Sequence, residues 1–550
     1  MRKFIFTFIL VAAAGMAVAQ HGKQSPMQKL MNAQFAINTF YVDSVDDNKL
    51  VEDAIRGMLE QLDPHSSYTD AKETKELEEP LQGEFSGIGV QFNMKDDTLY
   101  VIQTIAGGPS ERVGILAGDR IVTVNDTAIA GVKMSRNDIM KRLRGPKGTK
   151  VVVQVKRRNT PELITFRITR DKIPLYSVDA SFMLDDKTGY VQISRFGVKT
   201  HDEMLEAIAK LQKQGMRQLI IDLGDNGGGY LNAAIDMSNE FLDRGKMIVY
   251  TQGRSVPRSD ARADGTGRYK DLKIVVMVDQ YSASASEIFT GAMQDWDRAV
   301  VVGRRTFGKG LVQRPLHFDD GSMMRLTVAR YYTPAGRCIQ KPYKRGDRKA
   351  YDEDIINRAH EGEYFTLDSI HVNDSLCYTT LQNARPIYGG GGILPDVFVP
   401  LDTTENTTYY RNMMAKGIIN QYAIDYVDRH RKDLKKRYAT LADFDRGFSL
   451  TEADMREFIE RGEKDSIKFD EKKYRTSEQL FKQVLKGLIA RDVFSDPGAY
   501  TYILRHRNKD LKAALEIIND DRRYNELLLK GNPEYERLAA RHREQPKKDK

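Results

Sequence analysis

The sequence predicts a multidomain α+β protein with an α/β layered core, a small β-rich module before it and helical regions at both ends. Length is the first observation, because 550 residues are too many for a single hydrophobic core. Composition is the second: 41% hydrophobic and 29% charged residues are ordinary proportions for packed globular domains. The third is the spacing of apolar residues, which changes along the chain between helical periodicity and short alternating runs.

The first residues, MRKFIFTFILVAAAGMAVAQ, have the order of a cleavable secretory signal peptide. Arg2 and Lys3 precede an apolar run, and an Ala-Val-Ala cleavage site ends at Ala19, so we expect a signal peptide over residues 1–19. The apolar run is short for a lasting membrane span, although a retained anchor is the alternative. We therefore expect an exported protein, periplasmic or else secreted, with no stable membrane insertion after signal removal.

Charge and cysteine content restrict the partners further. The formal net charge of +8 is modest for this length, and the basic residues are interspersed with acidic ones. Nucleic acid is therefore not expected as a partner. Cys338 and Cys377 are the only cysteines, too few for a disulfide framework, and the sequence leaves open whether they pair.

The N-terminal half contains the first two predicted regions. Residues 20–82 are predicted to be helical: apolar residues recur at helical spacing from Val51 to Leu62, and Pro64 in LDPHSSY ends that helix. Residues 83–173 change to short strands with glycine-rich turns, interrupted by one helical stretch, SRNDIMKRLRG. A small sandwich or barrel fits this second region.

The C-terminal half contains the other two. Over residues 174–400 strands such as RQLIIDLG and KIVVMVD alternate with helical stretches, which is typical of an α/β layered domain. Residues 401–550 are predicted to be helical, with the apolar face from Leu480 to Leu488 lying behind a cap at Thr476-x-x-Gln479.

A glycine-lysine loop, GRRTFGKG at residues 303–310, differs in one residue from the phosphate-binding loop G-x-x-x-x-G-K-[ST]. Gly310 stands where that loop needs a hydroxyl for magnesium. The next residues, LVQRPLHF, are β-prone and contain Pro315, whereas a phosphate-binding loop is followed by a helix. A nucleotide site at Lys309 is therefore disfavoured, and we expect no cofactor. From this stretch alone, a surface lysine in a glycine turn remains an explanation.

Two predicted strand-to-helix turns precede this loop. In VDQYSASASEIF, Ser284 and Glu287 have capping-box spacing, so Ser284 either only caps a helix or lies where backbone N–H groups stabilise an oxyanion. In LIIDLGDNGGGYLNAA, the triplet Gly227–Gly229 follows a strand, and the dinucleotide spacing G-x-G-x-x-G is absent. Both turns and the lysine loop are expected to converge at the strand ends of one sheet.

SASASEIFTGAMQDWDRAVVVGRRTFGKGLVQ resembles the catalytic signature of the C-terminal processing peptidases, or tail-specific proteases. LDPHSSY, GEFSGIGV, DLGDNGGG, YYTPAGRCIQ and GGGGILPDVFVP support the resemblance in the same order, over about residues 35–400. These proteins are serine endopeptidases with a Ser–Lys dyad. The resemblance implies a ClpP/crotonase-like core with Ser284 as nucleophile, Lys309 as base and Gln313 as the residue that steadies the lysine. On a strand, Lys309 and Gln313 would share a face, so we expect the Gln313 amide to accept a hydrogen bond from the lysine amine and orient it.

The chemistry of these residue types agrees with the implied roles. A lysine with its usual pKa near 10.4 is protonated and cannot accept the serine proton, so we expect burial beside groups such as Phe307 to lower the pKa of Lys309. The N–H groups of Ala285 and Gly229 are expected to hold the oxyanion. A Ser–His–Asp site is the competing hypothesis, but no G-x-S-x-G accompanies His317, the only histidine near the signature.

Residues 83–173 resemble a PDZ domain, with Ser86, Gly87, Ile88 and Gly89 as its carboxylate-binding loop. Such domains add an extended peptide as a strand and capture its terminal carboxylate. The expected partners are therefore proteins or peptides recognised by their C-terminal tails, together with a homo-oligomer formed through the terminal helical regions. The alternative is a non-catalytic relative of the same fold that only binds peptides or apolar ligands.

Overall fold

A computed structural model of the protein describes residues 24–544 except residues 96, 106, 159 and 373. The predicted signal peptide, residues 1–19, lies outside these ranges. Within them, every helix is too short or too polar to cross a lipid bilayer. The multidomain α+β architecture predicted from the sequence is confirmed.

The N-terminal region is helical, as predicted. Its elements are α1 (Pro26–Phe40), α2 (Asp47–Glu60), β1 (Ser67–Thr69) and α3 (Ala71–Gln82). The Asp46 side chain caps α2 by accepting from the N–H of Lys49, and α2 ends before Pro64. The apolar side chains of α1 and α2 are largely exposed, and only Leu59 of α2 is buried.

The β-rich module follows, and its central sheet has the order β3-β4-β5-β7-β8 with β6 added on β5. The elements are β2 (Glu84–Gly87), β3 (Val90–Lys95), β4 (Thr98–Thr104), α4 (Pro109–Arg112), β5 (Arg120–Val124), β6 (Thr127–Ala128), α5 (Arg136–Leu143), β7 (Lys150–Lys156), β8 (Leu163–Thr169) and β9 (Asp171–Pro174). Leu99, Ile121 and Val153 fill its core, and β2 pairs with β9 at the side. Strand β3 is an edge of the sheet.

The α/β core is built on a six-stranded sheet of order β10-β11-β12-β15-β16-β21, parallel except for β10. Its elements are β10 (Val178–Met183), β11 (Thr188–Ile193), α6 (Thr200–Gln212), β12 (Gln218–Asp222), α7 (Leu231–Asn239), β15 (Lys273–Val278), α8 (Ala285–Asp295), β16 (Val300–Gly303) and β21 (Val397–Phe398). Helices α6, α7 and α8 cover the face that carries Leu219 and Ile221.

A second sheet lies beside this core and has the order β1-β18-β13-β14, with β17 paired to β18. Its new strands are β13 (Met247–Gln252), β14 (Ser259–Arg262), β17 (Leu311–His317) and β18 (Met323–Tyr332). The segment between β18 and β21 contains α9 (Arg348–His360), β19 (Cys377–Thr379) and β20 (Pro386–Tyr388), with short 3-10 turns at Leu367–Ser369 and Asp374–Leu376. The β17–β18 ribbon confirms the strand predicted after Lys309.

The C-terminal region is helical, as predicted. Its elements are α10 (Thr408–Ala415), α11 (Ile418–Arg437), α12 (Leu441–Gly447), α13 (Glu452–Lys464), α14 (Glu471–Phe494), α15 (Gly498–Leu504), α16 (Lys509–Asn519), α17 (Asp521–Lys530) and α18 (Pro533–Glu544). The predicted face of α14 is buried at Val484 and Leu488. The predicted cap at Thr476 is wrong, because Asp470 caps the helix and Thr476 lies inside it.

Helices α16 and α17 complete the α/β core. Leu511, Ala514 and Ile517 of α16 pack against Ile220 and Val275, on the sheet face opposite α6–α8. Both faces of the sheet are thus covered, which explains why its strands are continuous apolar runs. This packing crosses the boundary that the sequence pattern predicts at residue 400.

Candidate active site

Ser284 lies in the turn between β15 and α8 with φ +56° and ψ −111°. A non-glycine residue in this region costs on the order of 1–3 kcal/mol, and such strain is typical of functional positions. Gly228 packs against the turn: a Cβ there would lie 2.8 Å from the Ser284 Cβ and 2.9 Å from the Ala285 nitrogen. The second glycine of the triplet therefore lets the two turns come together.

The three alternating serines have different environments. The Ser282 hydroxyl donates to the Leu223 carbonyl at 2.7 Å, and the Ser286 hydroxyl donates to the Asn226 carbonyl at 2.8 Å. Both serines are fully buried. Ser284 lies between them and lines a cleft. The two neighbouring hydroxyls thus join the two turns, whereas Ser284 is the one serine of the three that lines the cleft.

The cleft has a volume of about 970 Å³. It brings together Ser284, Lys309, Gln313, Ala285 and Gly229, the residues expected at the active centre. Its apolar wall includes Leu77, Leu81, Val198, Leu231, Ile288 and Val312. The wall lies beside the strand ends of the core sheet, where ligand sites of α/β domains usually form.

Burial lowers the pKa of Lys309 to about 8, and the positive charge of Arg325 on β18 acts in the same direction. Glu287 and Asp63 partly oppose both effects. The Phe307 ring faces the ammonium of Lys341 at 4.1 Å. The depressed pKa makes a neutral Lys309 amine accessible near physiological pH.

Glu287 joins the serine turn to the lysine loop, a role that its capping-box spacing did not predict. One carboxylate oxygen accepts from the N–H groups of Ser284 and Lys309, both at 2.8 Å. The other accepts from the Gly308 N–H at 2.8 Å and the Thr306 hydroxyl at 2.5 Å. Glu287 is fully buried, and burial raises its pKa to about 7 against the effect of these hydrogen bonds.

Tyr331 provides a second link between the same two segments. Its buried hydroxyl lies against two backbone carbonyls, those of Lys309 and of Ser284, the latter at 3.2 Å. The nucleophile candidate and the base candidate are therefore held together through their main chains, and both links are buried away from solvent.

Gln313 lies on β17, whereas Lys309 precedes that strand. Strand alternation, which the sequence suggested would place both side chains on one face, therefore does not apply. An irregular register between Val312 and Gln313 also interrupts the alternation. Both side chains nevertheless line the cleft.

The glycine triplet lines the cleft, and its backbone is fixed by neighbouring segments. Phe196 bridges it by donating to the Gly228 carbonyl at 2.9 Å and accepting from the Tyr230 N–H at 2.8 Å. Because backbone groups alternate along an extended segment, the N–H of Gly229 points away from Phe196. The N–H of Gly228 is already bound to the Asn226 side chain at 2.9 Å.

The loop expected to bind carboxylates lies at the start of the β-rich module. Ser86 and Gly87 pair with β9, Ile88 is buried in the core, and Gly89 has φ +73°. A Cβ on Gly89 would lie 3.0 Å from Ile173. The loop leads into edge strand β3, and α5 lies alongside it.

Comparison with known proteins gives the family. Residues 187–348 match Peptidase family S41, residues 86–168 match the PDZ domain, residues 12–74 match the N-terminal domain of the activating protease CtpB, and residues 409–495 match a family of unknown function. The carboxy-terminal processing protease CtpA of Bacillus subtilis (strain 168) is 37% identical over 322 residues, which cover 58% of this chain and 67% of that protein. The chain belongs to the carboxy-terminal processing protease family.

Other relatives match over a similar part of the chain. A probable CtpA-like serine protease of Staphylococcus aureus (strain N315) is 36% identical over 318 residues, 58% of this chain and 63% of that protein. The chain thus spans less than two thirds of that relative. The solved structure of the photosystem II D1 C-terminal processing protease is 30% identical to this chain. The match covers 56% of this chain and 88% of the solved chain, with a TM-score of 0.31.

Among the described residues that line the cleft of this family member, there is no histidine. His65 contacts the Tyr351 hydroxyl at 2.9 Å, and burial together with the charge of Lys309 lowers the pKa of His65 to about 3. His317 is half exposed beside Glu78. The geometry gives no support to a Ser–His–Asp site.

Proposed function

We propose that the protein is an extracytoplasmic serine endopeptidase that cleaves peptide bonds through a Ser284–Lys309 dyad. One observation carries the proposal: a strained, cleft-lining serine and a partly buried lysine of depressed pKa are bound through their backbone N–H groups to the same buried carboxylate, Glu287. A module that only binds peptides needs neither the strain nor the depressed pKa of the lysine.

The mechanism follows from these positions. The neutral Lys309 amine takes the proton of the Ser284 hydroxyl while the oxygen attacks the scissile carbonyl carbon. The N–H groups of Ala285 and Gly229 stabilise the resulting oxyanion. The Lys309 ammonium then protonates the leaving amine as the C–N bond breaks, which gives an acyl-enzyme ester. Water, deprotonated by the same amine, hydrolyses this ester and restores Ser284, while Gln313 steadies the lysine.

A cleavage assay with the purified protein and a panel of peptides tests the proposal. Ser284→Ala is expected to abolish cleavage while preserving the fold and peptide binding. Ser282→Ala is the matched control, since that hydroxyl is bound to a backbone carbonyl, and it is expected to retain most of the activity. Equal cleavage by wild type and Ser284→Ala would reject the dyad and favour the non-catalytic alternative.

We also propose that the PDZ domain selects substrates by their C-terminal tails. The edge position of β3 and the left-handed Gly89 support strand addition with the terminal carboxylate at the 86–89 loop. Amidation of the terminal carboxylate should weaken binding roughly tenfold or more, because charge-assisted hydrogen bonds are lost. Unchanged affinity, measured by fluorescence anisotropy, would place recognition elsewhere.

Export and self-association complete the proposal. The signal-type leader supports a periplasmic location, testable by cell fractionation.

Self-association through the terminal helical regions is supported by the exposed apolar side chains of α1 and α2, which include Met27, Met31, Phe35, Phe40 and Met58. Analytical ultracentrifugation of Phe35→Asp tests this: the variant should sediment as a smaller species than wild type.

A further inference from the structure

The LDPHSSY segment forms a turn around a carboxylate, Asp63. One oxygen of Asp63 accepts from the N–H groups of His65 and Ser66, at 2.9 and 3.0 Å. The other accepts from the Ser66 hydroxyl at 2.5 Å. Asp63 is only 9% exposed. The donors around it hold this carboxylate in a fixed position.

This turn is bound to strand β18, which forms part of the cleft wall. The Thr327 hydroxyl donates to Asp63 at 2.9 Å, and the Thr327 N–H donates to the Ser66 hydroxyl at 3.1 Å. Strand β1 continues the contact by pairing with β18, with Ser67 opposite Arg325. A segment far away in sequence thus reaches the neighbourhood of the dyad.

The same Thr327 hydroxyl contacts the side-chain amide of Gln313. Its Nε2 atom donates to Thr327 Oγ1 and to the Leu311 carbonyl, both at 3.2 Å. A threonine hydroxyl has one proton, and a carboxylate can only accept. Because that proton goes to Asp63, Thr327 can only accept from Gln313. The chain of hydrogen bonds therefore has a single direction, from Gln313 through Thr327 to Asp63.

We propose that Asp63 and Thr327 are positioning residues that keep the NH₂ group of Gln313 turned to Thr327 and its carbonyl oxygen available to Lys309. The inference rests on the proposed role of Lys309 as base. A neutral amine has two N–H groups and one lone pair. A carbonyl oxygen accepts one N–H and leaves the lone pair for the Ser284 proton, whereas a flipped amide would donate to that lone pair and occupy it.

Kinetics of the full-length protein on a cleaved peptide test the coupling. Thr327→Val is expected to lower kcat about three- to tenfold with little change in KM. This factor corresponds to the loss of roughly one neutral hydrogen bond. Thr327→Ser keeps the hydroxyl and should restore kcat. In a Gln313→Ala background the same change should alter kcat by less than about twofold. Thr69→Val, the same substitution on a strand that also pairs with β18, should behave as wild type. Equal losses in both backgrounds, or no rescue by serine, would overturn the proposal.

A second measurement does not depend on cleavage. In protein labelled with ¹⁵N-glutamine, the Gln313 side-chain amide signal is assigned by its disappearance in Gln313→Ala. Thr327→Val should shift this signal and speed its hydrogen exchange, while Thr69→Val leaves it in place. An unmoved signal in Thr327→Val would refute the positioning role even in an active enzyme. A moved signal in a protein that cleaves nothing would instead support the positioning and reject the proposed function.

Discussion

Lys309 supplies the chemistry of the proposed reaction only when it is uncharged. Its pKa is lowered to about 8, so cleavage should rise as pH increases through about 8 and level off above it, because only the neutral amine accepts the serine proton. Lys309→Arg should be nearly as inactive as Lys309→Ala, since guanidinium stays protonated. The check is kcat/KM against pH for all three proteins, with and without a chelator, because kcat/KM follows the ionisation of the free protein. Substantial cleavage by Lys309→Arg, or inhibition by the chelator, would place the base elsewhere.

Glu287 offers a second test at the residue scale. Glu287→Gln keeps the shape of the side chain but replaces one of its acceptor oxygens by an NH₂ group. This NH₂ group would face the N–H or hydroxyl donors that now bind the carboxylate. The free energy of unfolding should fall by about 1–3 kcal/mol, and activity should drop with it, because the serine turn and lysine loop lose their common anchor. Urea denaturation measures the first effect. The exposed Glu463→Gln is the control and should change stability by less than about 0.5 kcal/mol.

The residues that line the cleft were predictable from the sequence, but most of the contacts that hold them in place were not. Ser284, Lys309 and Gln313 were predicted from a long motif, and the structure brings all three to one cleft. The capping-box spacing predicted the contact of Glu287 with the Ser284 N–H, which the structure contains. The contacts of Glu287 with the lysine loop had no signal in the sequence, because most of them are made by backbone N–H groups, which nearly every residue type provides. The Thr327 contact was equally hidden, since Asp63 is distant along the chain from the β17–β18 ribbon that carries Gln313 and Thr327.

At the scale of elements, the glycine triplet combines an open position with a crowded one. A Cβ on Gly229 would lie 2.1 Å from the Phe196 carbonyl oxygen, whereas a Cβ on Gly227 has no heavy atom within 4 Å. Gly229→Ala should therefore displace the turn and lower kcat roughly a hundredfold, the usual size of a lost oxyanion donor. Gly227→Ala should retain activity. The two variants lie two positions apart in one turn, so equal behaviour in the cleavage assay would contradict this account.

The type of an element, helix or strand, was predictable where residues close in sequence determine it. The strand after Lys309 and the helix after Ser284 both form as expected. The cap at Thr476 failed because Asp470, six residues earlier, offers the same hydrogen bond and extends the helix. The alternation argument for Gln313 failed because irregular register is set by pairing with β18 rather than by local sequence.

At the scale of the whole molecule, the C-terminal helices connect the other parts. Asp428 of α11 forms ion pairs with Arg120 and Arg158 of the PDZ domain, and Ile424 packs near Tyr100. Asp510 of α16 pairs with Arg304 in the stretch that leads to Lys309. These long-range contacts were not predictable, because helical periodicity shows that a face is buried but not which surface covers it.

The packing of α16 gives a test at this scale. Leu511 is 2% exposed against the core sheet, far along the chain from the cleft. Leu511→Ala should lower the free energy of unfolding by about 2–5 kcal/mol, since it removes buried methyl groups and leaves a cavity. Lys512→Ala, on the exposed side of the same helix, should change it by less than about 0.5 kcal/mol. If both variants unfold at the same denaturant concentration as wild type, α16 is not a layer of the core.

The late position of α16 in the chain has a consequence for biosynthesis. The last strand of the core sheet ends at Phe398, but the helix that covers its second face begins only at Lys509. Ribosomes add about 5–20 residues per second, so α16 is synthesised on the order of ten seconds after the last strand of the sheet. Whether the chain folds at synthesis or after export, one face of the sheet stays an uncovered apolar surface until this helix arrives, and the α/β core is complete only when nearly the whole polypeptide has been delivered.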